Sequence, residues 1–322
     1  MTVHGVLGPI DVSELGQTLI HEHVATADWS MRMAFGDQYY QHDVVLEKAV
    51  EQFNRAKACG IRTVVDGTPV NMGRDIALIR EVAERTGLNF IVSSGFYYQD
   101  EVYLNWRTED EIYALISGEC RDGIGKTGVR PGIMKTACAD AGITPILDKV
   151  FRAIGRVAVE QRLPIFSHHH AHLGNGDEIM DLFESVGVAP HQVVLGHSGD
   201  TDNIDYLERM LERGCYLGMD RFGYCDVGLG LKDRVRIIAE LCARGYGDRL
   251  LLSHDLAAYF AVFGSWDDFK ADRLPVGADF TFIHTEVIPA LEAAGVDPVQ
   301  VAAMIERNPI DFLDARGETV HR

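Results

Sequence analysis

Short, uninterrupted apolar runs alternate along this chain with longer stretches in which apolar positions recur every three or four residues. The short runs cover residues 18–23, 62–68, 89–96, 132–137, 164–168, 193–197, 216–220 and 250–255. Strands buried on both faces of a parallel sheet read as continuous runs of this kind. The longer stretches, at 44–58, 76–86, 147–161, 178–186, 204–213, 232–244 and 287–294, read as helices. In the first of them Val44, Leu46, Val50 and Phe53 lie close to a 3.6-residue period, with Asp43 expected as N-cap and Gly60 as C-cap. Others run straight into Gly87, Gly214, Gly245 or Gly295, the usual stop signal. Eight strands with helices between them predict an α/β chain folded as a (β/α)8 TIM barrel, one domain over residues 1–322. A doubly wound open sheet calls for a glycine-rich phosphate turn after its first strand. His21-Glu22-His23 stands there instead.

Composition narrows the class. The 322 residues are 47% hydrophobic and 24% charged, enough to bury a full core. No apolar run reaches the roughly 18–20 residues of a membrane span, and the N-terminus has no basic and apolar leader. The net charge of −18 lacks the basic face that nucleic acid or an anionic membrane would need. Cys59, Cys120, Cys138, Cys215, Cys225 and Cys242 form no C-x-x-C pair, which points to free thiols and a cytoplasmic protein.

The chemistry gathers at strand ends. In a TIM barrel the C-terminal strand ends build the active site. Here they carry His21 and His23, Lys135, His168, His197 and Asp255. His21 and His23 are two apart, so both face one side of their strand and can share a divalent ion such as Zn2+, Co2+, Mn2+ or Fe2+. Lys135 lies in the apolar strand Gly132-Ile133-Met134-Lys135, where a free ammonium is costly. A neutral amine can add CO2, and the resulting carbamate is an anion able to bridge two cations. A lysine paired with a barrel carboxylate is the other reading of that position.

The HEH on the first strand, the buried Lys135, His168 in PIFSHHH, His197 in VLGHSGDTDN and Asp255 in LLSHD resemble the phosphotriesterase-like branch of the amidohydrolase superfamily from about Gly8 to Leu313. The resemblance implies a binuclear metal centre with Zn2+ as the first candidate. His21, His23 and Asp255 would hold one ion and His168 and His197 the other, with carbamylated Lys135 and a hydroxide between them. Tyr97 in SSGFYYQD, Arg221 in GMDRFG, the Gly73-Arg74-Asp75 triplet and GHSGDTDNIDYL are similar to the phosphotriesterase-like lactonases, whereas strict phosphotriesterases carry a histidine at the place of Arg221. The resemblance therefore implies hydrolysis of N-acyl-homoserine lactones or related γ- and δ-lactones, as in quorum quenching. Asp255 would accept and return a proton, Tyr97 would steady the oxyanion and Arg221 would orient the substrate. The alternative is a phosphotriesterase or arylesterase using the same centre. A small lactone or ester is the expected partner, and a homodimer the expected assembly. The loop 256–276 departs from the family pattern, and its Phe263 and Trp266 are expected to line an acyl tail.

Several neighbours have blander readings. His170 shares a face with His168 and is a rival ligand, here assigned with His172 to the loop or to hydrogen bonding behind the ligands. His254 points away from Asp255 and is expected to pack or to hydrogen-bond behind the ligands rather than to bind metal. Asp200 and Asp202 are expected to cap the helix that starts at Ile204. Phe96, Tyr98, Phe222 and Tyr224 fit a cavity wall or the core equally well.

Overall fold

A computed structural model describes residues 1–99, 101–224, 228–262 and 279–314. Residues 2–11 form a hairpin, β1 (Thr2–Gly5) with β2 (Gly8–Asp11). These four-residue strands are too short to announce themselves in the sequence pattern. The parallel strands are β3 (Gln17–Thr26), β4 (Ile61–Asp66), β5 (Asn89–Gly95), β6 (Ile133–Ala137), β7 (Ile165–His168), β8 (Val193–Gly196), β9 (Tyr216–Met219), β10 (Leu250–Leu252) and β11 (Ala257–Phe260). They pair in the order β10-β9-β8-β7-β6-β5-β4-β3-β11.

The nine strands make eight staves. The last stave is interrupted between Leu252 and Ala257: β10 pairs with β9, and β11 pairs with β3. The interruption itself is tied to β3, with the Asp255 N–H donating to the His21 carbonyl at 3.0 Å and the His23 N–H to the Leu256 carbonyl at 2.8 Å. The sheet thus curls onto its own first strand, as a (β/α)8 barrel must. The expected strand over 250–255 is real only to Leu252, because Asp255 takes a left-handed backbone (φ 59°) that a strand cannot continue through.

Helices follow the staves: α1 (Trp29–Phe35) and α2 (His42–Ala58) after β3, then α3 (Ile76–Thr86), α4 (Glu109–Asp122), α5 (Pro145–Gln161), α6 (Gly176–Ser185), α7 (Ile204–Glu212) and α8 (Leu231–Ala243). α4 escaped the sequence reading, although Thr108 and Glu111 form a capping box and Ile112, Ile116 and Cys120 bury one helical stripe. The N-cap of α2 is Gln41 rather than Asp43, which lies in the first turn, where its charge suits the helix dipole. Gly60 follows the cap residue Cys59 with φ 108°, so the chain turns there as expected.

The barrel interior explains where chemistry can sit. Ile20, Val65, Ile91, Ile133, Phe166, Val194, Tyr216 and Leu251, one from each stave, pack as an inner layer with Val3 and Ile10 of the hairpin and Phe312 near the chain's end. Flanking strand residues such as Leu19, Val64, Phe90, Val92, Ile165 and Leu217 face outward into the helix layer. Gly196 lies against the Phe166 ring so closely that any Cβ there would clash with Cε1. The described cysteines are all free thiols, and Cys225 lies outside the described residues. Among the described residues no helix is long and apolar enough to cross a membrane.

Candidate metal centre

Strand alternation turns the inner layer into a polar one at the next level. Lys135 is two residues beyond Ile133, and His168 two beyond Phe166, so both point inward. On β3 the pairing register is irregular between Leu19 and Glu22. Such a bulge re-aims side chains: Ile20 joins the inner layer, and His21 also packs inside, its ring 4.1 Å from that of Phe166. His21 and His23 therefore face the cavity, while Glu22 faces outward.

The other contributors stand just past strand ends on unusual backbone. Among the described residues four non-glycines have positive φ: Arg162 caps a helix, and the remaining three are His197 (63°), Arg221 (62°) and Asp255 (59°). Each such conformation costs of order 1–3 kcal/mol and persists only where the surroundings enforce it, which is a mark of functional sites.

The six expected ligands converge. Lys135 Nζ lies 2.7 Å from His21 Nε2. Asp255 Oδ1 is 3.3 Å from His21 Nε2 and 3.1 Å from His23 Nε2. His168 Nδ1 is 2.7 Å from His197 Nε2. His197 is also tied to Asp255, with Nδ1 3.8 Å from Oδ2. His23 Nδ1 bonds Thr68 Oγ1 at 2.8 Å, which leaves Nε2 for the cluster.

Asp220, the first residue after β9, went unassigned in the sequence. It is fully buried. Its Oδ2 sits 3.0 Å from His21 Nδ1, and its Oδ1 accepts from His197 Nδ1 at 2.8 Å and from the His197 amide at 2.9 Å. Both carboxylate oxygens thus hold the back nitrogens of two histidines belonging to different halves of the cluster. Asp220 lies within metal-binding distance of them, yet its oxygens are already committed, so it orients ligands rather than serving as one. Its signal was its place at a strand end, shared with the six. Partners of this kind typically contribute 10–100-fold to metal affinity. Asp220→Asn is accordingly expected to lower the affinity for both ions by about that factor, read by titration with a competing chelator; unchanged affinity would contradict the orienting role.

Burial dominates the electrostatics. It pushes His21 down to about 4, helped by the charge of Lys135, and holds His168 and His197 well below the ordinary imidazole range. All three are neutral ligand forms at physiological pH. Burial also pushes the Lys135 amine down to about 8, against the pull of Asp255 and Asp220. Burial would raise the Asp255 carboxyl, but His21, His197, the His23 hydrogen bond and Arg221 together hold it well below the usual carboxylate range. Burial keeps the Tyr97 hydroxyl protonated far into the alkaline range.

A cavity of about 310 Å³ opens over the cluster, within the size range of small-molecule sites. Tyr97 and Arg221 line it with His21, His23, Lys135, His168 and Asp255, and Met72, Tyr98, Ala257, Phe260 and Tyr224 supply other walls. The Tyr97 hydroxyl is 3.4 Å from His168 Nδ1, and Asn71 clamps the Tyr97 backbone on both sides. Arg221 donates from Nε to Asp255 Oδ2 at 3.2 Å and from Nη1 to Asp200 Oδ2 at 2.7 Å.

This pairing corrects the expectation for Asp200. Asn203 caps α7, accepting the Tyr206 N–H, while Asp200 is buried between Arg221 and Arg234. An ion pair with two arginines outweighs one capping bond. Of the aromatics, Tyr98 and Tyr224 face the cavity, and Phe96 and Phe222 are core. His170 lines the cavity too, with its Nε2 3.0 Å from Asp140 Oδ1. Phe263 and Trp266 lie outside the described residues.

The donor set fits two divalent cations. Four imidazoles, one carboxylate and an amine that is easily neutralised meet here, and His168 Nε2 is buried with no hydrogen-bond partner. Ligand atoms of His21, His23 and Asp255 lie within 4.8 Å of one another.

Comparison with known proteins agrees with this architecture. A model of the Phosphotriesterase family matches residues 1–313. A "Phosphotriesterase homology protein" of Mycobacterium tuberculosis is 35% identical over 322 aligned residues, covering 96% of this chain and 97% of that protein. The "Aryldialkylphosphatase" of Saccharolobus solfataricus is 33% identical over 309 residues, covering 94% and 96%. The solved structure of the phosphotriesterase from Mycobacterium tuberculosis superposes with a TM-score of 0.89 at 32% identity, over 98% of each chain.

Proposed function

This chain belongs to the phosphotriesterase family, and on that footing we propose that it hydrolyses lactones, N-acyl-homoserine lactones or related γ- and δ-lactones. The observation that carries the lactone reading is Arg221, which lines the cavity beside Asp255 with Tyr97 lining it too, two residues by which the chain resembles the phosphotriesterase-like lactonases. A guanidinium fork suits a planar carbonyl or amide acceptor.

His21, His23 and Asp255 would hold one divalent ion, and His168 and His197 the other. Lys135, carbamylated, would be shared by both. Zn2+ is the first candidate. When bound, such ions polarise a carbonyl or phosphoryl oxygen and make water acidic enough to attack near neutrality. Asp255, kept ionised, takes the proton of the attacking water and returns it to the leaving alkoxide. The Tyr97 hydroxyl, kept protonated, donates to the oxygen on which charge develops. Arg221 Nη2 makes no hydrogen bond to a described residue and is the end of the fork that can meet the substrate. The apolar wall of Met72, Ala257 and Phe260 takes the hydrocarbon part and excludes water.

The second reading is a phosphotriesterase or arylesterase built on the same centre, and the match to an aryldialkylphosphatase favours it. One metal-reconstituted preparation decides between them: kcat/KM is measured for a lactone series, an aryl dialkyl phosphotriester and an aryl ester. Lactones are expected to lead, and a phosphotriester ahead of every lactone would establish the second reading. Arg221→Ala sharpens the test. Losing one charged hydrogen bond, about 1.5–3 kcal/mol, lowers lactone kcat/KM about 10–100-fold. Part of that loss is common to all substrates, because Arg221 also braces Asp255. The excess loss on lactones is the diagnostic quantity, and an equal loss on phosphotriesters would argue against substrate contact.

A further inference from the structure

Glu22 stands between the two histidines of β3, yet it takes no part in the cluster. Its side chain is fully buried on the outward side of the strand. There Oε1 accepts the His254 backbone N–H at 2.8 Å and the His254 Nδ1–H at 2.7 Å, and Oε2 accepts the Leu256 N–H at 3.0 Å. The other imidazole nitrogen of His254 accepts the Ile283 N–H at 3.2 Å, so the ring proton is on Nδ1 and points at Glu22. The two backbone amides flank Asp255, whose own N–H goes to the His21 carbonyl. Three consecutive amides are thus fastened to two adjacent residues of β3, across the gap where the last stave is interrupted.

We propose that Glu22 is a positioning residue, whose carboxylate grips the amides of His254 and Leu256 and so holds Asp255 in the left-handed conformation that aims its side chain at His21, His23 and Arg221. A regular parallel ladder would bond these amides to main-chain carbonyls and keep the strand extended. A side-chain acceptor frees the backbone from that geometry, and the φ of 59° at Asp255 then survives because it is held on both sides. Arg221 steadies the same carboxylate from the cavity, at 3.2 Å. The outward direction of Glu22 also removes it as a catalytic base, the role a carboxylate between two ligand histidines would otherwise suggest. A glutamine cannot replace it, since one amide oxygen and an NH2 group cannot satisfy three converging N–H donors.

The inference rests on the role assigned to Asp255, and a double-mutant cycle tests it with a cobalt spectrum. Glu22→Gln, Asp255→Asn and the double variant are loaded with Co2+. Glu22→Gln is expected to lower kcat about 10–100-fold, to leave KM within about threefold, and to shift the visible Co2+ bands. In the Asp255→Asn background it is expected to change kcat less than about twofold, because the residue it acts through is already disabled. Equal losses in both backgrounds, or unchanged cobalt bands, would overturn the proposal. Glu22→Asp keeps the charge but shortens the reach; if Glu22→Gln does not accumulate folded, it is run through the same cycle with the same criteria. Near-normal turnover of Asp255→Asn alone would sink the role given to Asp255, and the cobalt bands of Glu22→Gln would still decide whether Glu22 places that carboxylate.

Discussion

Asp255→Asn yields a folded protein whose turnover is lower by about 10²–10⁴-fold, the range that a positioned proton-transfer group contributes. The substitution is nearly isosteric, and asparagine tolerates the left-handed backbone found at this position. The barrel seam therefore stays closed, since the bonds from Asp255 N–H to His21 and from its neighbours to Glu22 are made by backbone. What disappears is the anion that faces His21, His23 and Arg221 together. Thermal unfolding separates this outcome from misfolding, and metal analysis separates loss of the base from loss of an ion. Turnover close to that of the unsubstituted protein would remove Asp255 from the mechanism.

Lys135→Ala is expected to leave the chain folded but to empty the site. Metal affinity should fall by more than the roughly 100-fold upper range of orienting partners, and millimolar formate, acetate or propionate should restore part of it. The reasoning is electrostatic. Lys135 is 1% exposed, and its amine sits 2.7 Å from His21 Nε2 and 4.4 Å from the centre of the Phe166 ring. As an ammonium it would repel two divalent ions, whereas a carbamate, formed from the neutral amine that burial favours, would attract both. A small carboxylate diffusing into the space left by alanine supplies a comparable bridging anion. Metal content per chain, measured with and without added carboxylate, is the readout. Full metal content in Lys135→Ala without any additive would contradict the bridge.

Strand periodicity made most of the cluster legible in one dimension. Lys135 and His168 each lie two residues past an inner-layer residue, so their inward direction follows from alternation alone. His21 and His23 are two apart and share a face for the same reason. Where the backbone leaves the strand geometry, that logic stops. His197, Arg221 and Asp255 occupy left-handed conformations, and no periodicity states where such a residue points. Asp220 and Glu22 sit at the right places along the chain, but their roles are hydrogen bonds to residues 23 or more and 232 or more positions away. Asp200 resembled a helix cap because capping is a local signal, and the two arginines that claim it come from elsewhere in the chain.

The order of residues by itself determined the repeating strand-and-helix architecture, the end of the barrel that carries chemistry and the inward direction of His21, His23, Lys135 and His168, because each of these depends on periods of two and 3.6 residues and on chemical type. Only the tertiary structure decided that the eighth stave breaks at Asp255, that Glu22 faces outward to hold it, that Asp220 grips two histidines at once and that Arg221 is braced by Asp200. These are contacts between groups remote in the chain, and their geometry is set by how the sheet closes on itself.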